Sequence, residues 1–330
     1  MVKFILKRLF YIIVVLFIVS FFIFWLYRSM PGDPALLMMQ GSEQDMTREQ
    51  WNAALEALRE EMGLHRPFVV QFGIWLSQSL QGNFGFSFIT RISVMETVRV
   101  PMLNTVIMNI LNLILVFGIT IPVGIRAAVK RGKGFDNGAL FGSMIGFSIP
   151  TPILGIIFMV IFAVGLGWLP MTGMHSAIQP DFATEPWAFL WDRFRFMILP
   201  LATLTFVATA GLTRFVRSAM IDALSMDSIR TARAKGLKEK TIIYSHAFRN
   251  ALLPVITVMT GWFIGVFSGS MVVESVFSWN GMGNVYRTAL DQNDIPILKA
   301  LTTFYALIAF VGFLIMDLTY MIVDPRIRFD

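Results

Sequence analysis

The side chains with most scope for chemistry are basic residues that lie within residues 217–254, after a long apolar run. They are Arg230, Arg233, Lys235, Lys238, Lys240 and Arg249. Such side chains carry positive charge and bind carboxylates or phosphates. The pattern predicts helix over 226–235, a turn at Gly236, and helix again over 238–250. Glycine enters such a turn without strain. The segment has two interpretations: a rigid docking element for a partner, or a solvated basic loop that only sets topology.

Other constellations that would carry chemistry are missing from the sequence. It has no cysteine, and its three histidines lack metal-ligand spacing. The nearest approach to a phosphate-binding loop, Gly132-Lys133, has Ala127 and Gly134 where glycine and Ser or Thr are required. Neither HExxH nor Gly-x-Ser-x-Gly occurs. We therefore predict no catalytic, cofactor-binding or metal-binding residue, so that any ATP must bind to another chain.

Composition predicts an all-α integral membrane protein. The sequence has 330 residues, of which 56% are apolar and 15% charged, whereas soluble domains carry about 25% charged residues. The apolar residues come in blocks long enough to cross a bilayer. We predict six transmembrane helices, near residues 9–26, 101–128, 139–168, 196–216, 251–273 and 298–322.

Basic residues predict the orientation of these spans. They precede the first apolar run, and Phe24, Trp25 and Tyr27 end it as an interfacial aromatic belt, which favours a retained helix over a cleaved signal peptide. Placing both termini in the cytoplasm puts the larger share of the 27 Lys and Arg on that side, as the positive-inside rule requires. Topology and anionic lipid then explain the net charge of +6, and nucleic acid is not needed.

The predicted spans and the polar segment after the first span divide the chain into three regions. They are an N-terminal tail with the first helix (1–29), a polar segment (30–99), and a core of five spans (100–330) that includes the cytoplasmic loop 217–250. In the polar segment, Thr47 and Gln50 predict a capping box, followed by an apolar face and then a stop at Gly63. A second amphipathic helix is predicted after Pro67. The segment is too long for a simple loop, and it is either an external cap or a lipid-facing collar.

Polar side chains inside the predicted spans have two interpretations. Hydrogen bonds between neighbouring helices explain most such residues, and the lining of a translocation path is the other explanation. The candidates for the path are Asn109, Asn112, Thr205, Thr209, Ser268 and Ser270. Asp317 lies near the cytoplasmic end of the last span, and we interpret it as a helix-packing residue although acids inside membranes are often functional.

Several motifs resemble one family of permeases. RTARAKGL followed by HAFRNALLP is similar to the cytoplasmic loop of permease subunits of dipeptide/oligopeptide/nickel-type, binding-protein-dependent ABC importers. Residues 30–34 resemble the PGDP signature of that family, and 324–328 close the chain as the family does. Residues 82–87 resemble GDLGxS with Asn83 in place of the acid. Residues 273–283 resemble VExxFxxPGxG with Asn280 in place of proline.

This resemblance implies a type I ABC importer permease in the cell membrane of a bacterium or archaeon. It implies a homologous second permease, two cytoplasmic ATP-binding subunits that bind ATP and Mg, an extracytoplasmic solute-binding protein, and a peptide substrate. The alternatives are another solute, such as a nickel chelate, glutathione or an oligosaccharide, or a channel or secondary carrier without an ATPase.

The resemblance also implies that the basic segment couples the pore to the ATPase. The implied coupling residues are Asp227, Arg230, Thr231, Ala232, Arg233, Ala234, Lys235, Gly236 and Leu237. ABC importers generally carry Glu-Ala-Ala where this chain has Arg230, Thr231 and Ala232. The docking role therefore carries over, but the glutamate contact does not.

Overall fold

The structure is a computed structural model and describes residues 2–39 and 46–323. The C-terminal motif at 324–328 lies outside the described residues. The described chain forms two compact units, one from residues 2–39, 46–103 and 285–311, the other from residues 104–284 and 312–323. Within the described residues all regular structure is helical apart from an isolated bridge between Phe86 and Ser93, which confirms the all-α prediction.

The α-helices of the described residues are numbered in chain order. The first four are α1 (Val2–Arg28), α2 (Pro34–Met39), α3 (Arg48–Glu61) and α4 (Phe68–Leu80). The next four are α5 (Val94–Val129), α6 (Gly134–Ser148), α7 (Thr151–Phe158) and α8 (Pro186–Ser225). The last six are α9 (Asp227–Ala234), α10 (Glu239–Thr241), α11 (Phe248–Gly265), α12 (Met271–Val276), α13 (Met282–Asp291) and α14 (Ile295–Val323).

The capping box and stop signal of α3 are confirmed. The Thr47 hydroxyl accepts from the Gln50 N–H at 3.3 Å, and the Gln50 side chain accepts from the Thr47 N–H at 3.1 Å. The apolar face of α3 packs against α2 through the buried Leu55. Gly63 then turns the chain with a φ of +65°, a conformation that favours glycine.

Residues of the PGDP signature fasten α2 to α3. Asp33 accepts a hydrogen bond from the Ala35 N–H at 3.0 Å at the start of α2. Its carboxylate also accepts from the Arg59 Nε on α3 at 2.8 Å. Burial by itself raises the pKa of Asp33, but the hydrogen bonds from Arg59 and Ala35 outweigh it and hold the pKa below its usual range. The charged side chain of Asp33 therefore links α2 to α3.

The aromatic end of α1 is only partly the interfacial belt that the sequence predicts. Trp25 is 51% exposed, but Phe24 and Tyr27 are 5% and 7% exposed. Phe24 packs against Phe72 and Trp75 of α4, which confirms the second amphipathic helix after Pro67. The prediction was wrong for Phe24 and Tyr27 because α4 packs on α1 and covers the ring of Phe24, while the Tyr27 hydroxyl hydrogen-bonds to Thr302 at 3.0 Å.

The 82–87 motif is held by a short-range turn and a buried carboxylate. The Asn83 side-chain oxygen accepts from the Gly85 N–H at 3.0 Å, so an amide oxygen supplies the acceptor that an acid would supply. Ser87 is fully buried and donates to Asp294, whose carboxylate also accepts from the Phe88 N–H at 3.2 Å. The departure at Asn83 therefore leaves the turn intact.

Four described helices are long and apolar enough to cross a membrane, and a bent pair would make a fifth. The four are Ile5–Arg28, Val94–Val129, Pro186–Ser225 and Ile295–Thr319. The fifth predicted span ends early, since α11 stops at Gly265 and is not among these helices. The count of six spans therefore stays a prediction.

The third predicted span, over 139–168, is not one straight helix. It consists of α6 and a second helical run, Thr151–Gly165, bent by 102° from α6. Pro150 causes the break because it has no N–H and forces Ile149 out of the helical region, to a φ of −90° and ψ of 121°. The last seven residues of this run, Met159–Gly165, are π-helical.

The second unit is organised around α8. This helix has 40 residues, about 60 Å at 1.5 Å per residue, which is about twice the thickness of the hydrocarbon core. It therefore reaches well beyond the predicted span 196–216. Buried side chains of α8, including Val216 and Met220, pack with α5, α9 and α11 in one apolar core, so the basic loop and the spans share their packing.

Candidate functional site

The loop helix α9 has one face inside the protein and the other outside it. Ile229 is fully buried and Ala232 is 7% exposed, and both pack in the core with α5, α8 and α11. Asp227, Arg230 and Arg233 lie on the exposed face. The sequence-predicted residue Ala232 therefore faces the chain's own core, whereas the other eight implied coupling residues are exposed and available to a partner.

Gly236 forms the turn that ends α9. Its N–H donates to the Arg233 carbonyl at 2.9 Å, and the Leu237 N–H donates to the Ala232 carbonyl at 3.4 Å. These two bonds are those of a Schellman motif, which places a left-handed residue after the helix. Gly236 has a φ of +74°. The backbone conformation therefore favours glycine here, and a Cβ at this position would meet nothing within 4 Å.

An ion pair spans this turn. Arg233 Nη2 lies 2.7 Å from Glu239 Oε1, and both side chains are about half exposed. The Arg233 hydrogen bond lowers the pKa of the Glu239 carboxyl. Lys235, Lys238 and Lys240 form no ion pair within the described residues, so the exposed surface around the turn keeps a positive charge.

The chain beyond the turn runs without a break into the apolar helix α11. A π-helical segment, Ile242–Ala247, connects α10 to α11, and both of its end residues are fully buried in the core of the second unit. The predicted second helix over 238–250 is thus the start of a longer helical run that ends at Gly265.

A buried ion pair near the C-terminal end of α8 was not predicted from the sequence. Asp136, at the start of α6, is 1% exposed and accepts from Arg217 Nη2 at 2.7 Å. It also accepts from the Gly132 N–H at 2.8 Å. The sequence does show Asp136 as an acid in the first turn of a helix, within a basic segment. It does not show that Arg217 is the partner of Asp136.

The structure brings together some of the candidate path residues and separates others. The Thr205 hydroxyl donates to the Asn112 side chain at 2.9 Å. Asn109 donates to the Gly265 and Val266 carbonyls at 3.3 Å and 3.0 Å, at the end of α11. These contacts are interhelical hydrogen bonds, the packing interpretation of such residues.

Thr205 and Thr209 also line a cavity of about 400 Å³ between α5, α6, α7 and α8. The Thr209 hydroxyl is buried and has no hydrogen-bond partner within the described residues. The hydroxyl oxygen is itself inaccessible in this arrangement, so the cavity surface is formed mainly by other, largely apolar side chains. The role of Thr205 and Thr209 in a translocation path therefore stays a prediction.

Ser268 and Ser270 lie after α11 and not within a span. Ser270 caps α12, since its hydroxyl accepts from the Val273 N–H at 3.4 Å. The expectation that both lie inside the fifth span was wrong because α11 ends at Gly265 and the chain turns at Gly269, which has a φ of +65°.

The VESVFSWNGMG stretch is built around one buried carboxylate. Glu274 is fully buried and accepts hydrogen bonds from the Asn284 N–H at 2.9 Å and the Ser270 N–H at 3.2 Å. A Cβ added at Gly281 would lie 2.6 Å from its Oε2, so that glycine leaves room for the carboxylate. Burial raises the pKa of Glu274 despite these hydrogen bonds. The motif therefore forms a compact structural element, held together by hydrogen bonds to Glu274.

Comparison with protein families defines the class of the chain. The family described as "Binding-protein-dependent transport system inner membrane component" matches residues 120–329, and the corresponding N-terminal family matches residues 1–109. The chain therefore belongs to this family. It is a multi-pass permease of the cell membrane and a membrane component of a binding-protein-dependent ABC import system.

The chain is similar over its full length to permeases from other bacteria. The chain is 37% identical over 332 residues to the oligopeptide transport system permease protein AppB of Bacillus subtilis (strain 168), covering 100% of both chains. It is 34% identical over 331 residues to the glutathione transport system permease protein GsiC of Escherichia coli (strain K12), again covering 100% of both. Among solved structures, the inward-facing MetNI methionine ABC transporter aligns with a TM-score of 0.49 and 20% identity, covering 68% of this chain and 96% of that one.

Proposed function

We propose that this chain is a pore subunit of an ATP-driven importer of peptides. The two named relatives support the substrate class, because one is described as an oligopeptide permease and the other as a permease for glutathione, itself a small peptide. Among the described residues, no charged side chain lines the cavity at Thr205 and Thr209, which fits the neutral amides that all peptides share. Selection among peptides is then left to an external solute-binding protein.

In the proposed mechanism, ATP acts on the pore through the loop at residues 226–250. ATP-binding subunits dock on the exposed face of α9, and the buried face transmits their movement through Ile229 to α5, α8 and α11. Because packed helices move as rigid bodies between discrete arrangements, closure of the ATPase shifts the pore between inward-open and outward-open states. The single observation that carries this proposal is the two-faced α9.

The rest of the assembly follows the same proposal. This chain has six spans with both termini in the cytoplasm and pairs with a homologous permease. It has no catalytic residue, and two partner subunits bind ATP and Mg. The importer works with an extracytoplasmic solute-binding protein.

Charge reversal on the exposed face of α9 tests this proposal. The double substitution Arg230→Glu and Lys235→Glu changes two exposed side chains and leaves Ile229 and Ala232 in place. We expect the ATPase to bind the permease pair about tenfold or more weakly, since rim charges steer association and pairing. Copurification of the ATPase and peptide-stimulated ATP hydrolysis measure the effect. Lys130→Glu, an exposed lysine between α5 and α6, is the control, and retention of the ATPase by the double variant would refute the docking surface.

A further inference from the structure

The first unit contains a cavity that has no role in the proposed coupling. Its volume is about 390 Å³, and its walls include Phe24, Arg28, Glu61, Trp75 and Lys299. The cavity lies where α1 ends and α14 begins, and both are apolar helices long enough to cross a membrane. The ends of such helices lie at the level of the lipid headgroups. In the topology proposed above, with the N-terminus in the cytoplasm, the cavity therefore lies at headgroup depth on the external face of the membrane.

Among the described residues, none is a counter-ion for Lys299 in this cavity. Its ammonium lies 5.2 Å from the centre of the Phe24 ring and 6.0 Å from that of the Trp75 ring. It forms no ion pair and no hydrogen bond within the described residues. Aromatic faces stabilise an ammonium only partly, and a charge withdrawn from water ordinarily needs an anion. The cavity thus holds a cation that is positioned but not neutralised.

The other charged side chains on the cavity wall do not neutralise Lys299. Arg28 adds a second positive charge, and its Nε donates to the Gln71 side chain at 3.2 Å. Glu61 is the acidic wall residue within the described chain, but it is exposed and forms no ion pair with Lys299. The remaining wall is mixed: Met30, Met38, Leu58 and Ile74 form its apolar part, and Gln71, Gln78 and Asn83 form its polar part. Positive charge next to apolar surface, at headgroup depth, is the combination that an anionic lipid recognises.

We propose that this cavity binds the headgroup of an anionic phospholipid, with the phosphate between Lys299 and Arg28 and an acyl chain along the apolar wall. Inorganic phosphate shares the anionic chemistry, but it makes no use of the apolar wall. The carboxylate of a peptide is the other anion available to an importer. The position at the ends of two apolar helices favours the lipid.

Lipid retention by the assembled importer tests this site. The complex is reconstituted in phosphatidylcholine with a minor fraction of phosphatidylglycerol and extracted again. The phosphatidylglycerol bound per complex is then counted by mass spectrometry. We expect Lys299→Gln to retain about fivefold less phosphatidylglycerol than the unaltered chain, the effect of one interfacial cation. Lys299→Arg keeps the charge and should retain the lipid, whereas a loss due only to disturbed packing would not be rescued by arginine.

Matched controls separate the sources of the anion. Arg48→Gln removes an exposed cation from the start of α3, about 15 Å along that helix from the cavity-wall residue Leu58, and should leave retention unchanged. Equal retention by Lys299→Gln and the unaltered chain would overturn the proposal. Displacement of phosphatidylglycerol by inorganic phosphate would overturn the lipid assignment in favour of a free-anion site, and displacement by a peptide would overturn it in favour of a cargo site.

Discussion

At Gly236 the backbone decides which side chains are allowed. A φ of +74° is unstrained for glycine, and costs other residues about 1–2 kcal/mol, with Asn the best tolerated. No atom lies within 4 Å of a Cβ at this position, so the restriction is conformational and not steric. Substitutions at Gly236 therefore test the turn itself, free of packing effects.

We predict that Gly236→Pro uncouples ATP hydrolysis from uptake. Proline fixes φ near −65° and removes the N–H that bonds to the Arg233 carbonyl, so the turn cannot form. Peptide uptake and ATP hydrolysis, measured in the same proteoliposomes, should give a much lower ratio of peptide to ATP. Gly236→Asn tolerates the left-handed conformation and should keep the ratio close to that of the unaltered protein. A normal ratio for the proline variant would count against the turn as a lever.

Single residues also show what the sequence can predict about local structure. Thr47 and Gln50 could be predicted because a capping box depends on residues three apart. Ser87 and Asp294 could not, because their hydrogen bond joins positions 207 residues apart. The same limit applies to Asp136 and Arg217. Pairings of distant polar residues depend on tertiary packing that no local pattern contains.

Among the helices, α9 is the element on which the proposed coupling depends. Its buried residue Ile229 fastens it to the core. We predict that Ile229→Ala lowers stability by about 2–5 kcal/mol, the range for emptying a fully buried site. Limited proteolysis of the assembled importer should then cleave more readily between residues 226 and 240. Thr231→Ala lies on the exposed face and is the matched control. Equal cleavage of both variants would show that α9 is not held by the core.

The contact between α5 and α8 depends on a small residue. A Cβ at Gly124 would lie 2.7 Å from the Val216 side chain, whereas a Cβ at Gly118 on the same helix meets nothing within 4 Å. We predict that Gly124→Val destabilises the protein by about 1–3 kcal/mol through overpacking, while Gly118→Val has little effect. Thermal unfolding in detergent measures the difference. The prediction fails if the two variants unfold together.

Helices differ in how much of them the sequence reveals. Long apolar runs predicted α1, α5 and α14 because hydropathy alone marks them. The 102° bend after α6 was not predicted, although Pro150 is visible in the sequence. A straight helix and a broken one can have equally apolar sequences. Whether the helix breaks depends on how Ile149 and Pro150 pack. The end of α11 was misplaced for a similar reason, since apolar residues continue past Gly265.

For the molecule as a whole, composition and motif order were sufficient to predict the class. Blocks of apolar residues predicted a helical membrane protein, and five motifs in order predicted the permease family to which the chain belongs. The site was predicted in part. The exposed face and the turn at Gly236 were expected, but the inward position of Ala232 depends on the rotation of α9 about its own axis. That rotation is set by the core and not by the basic pattern.

Cross-linking from one introduced cysteine tests the central claim most directly. The sequence contains no cysteine, so Ala234→Cys creates a single thiol on the exposed side of α9. Ile178→Cys, at a position that is 92% exposed and predicted to be external, is the control. In the intact complex, a heterobifunctional reagent that joins thiols to amines should link the cysteine at 234 to the ATPase and the cysteine at 178 to no ATPase. Labelling of position 234 from outside the cell, or no cross-link to an ATPase, would contradict the proposed coupling.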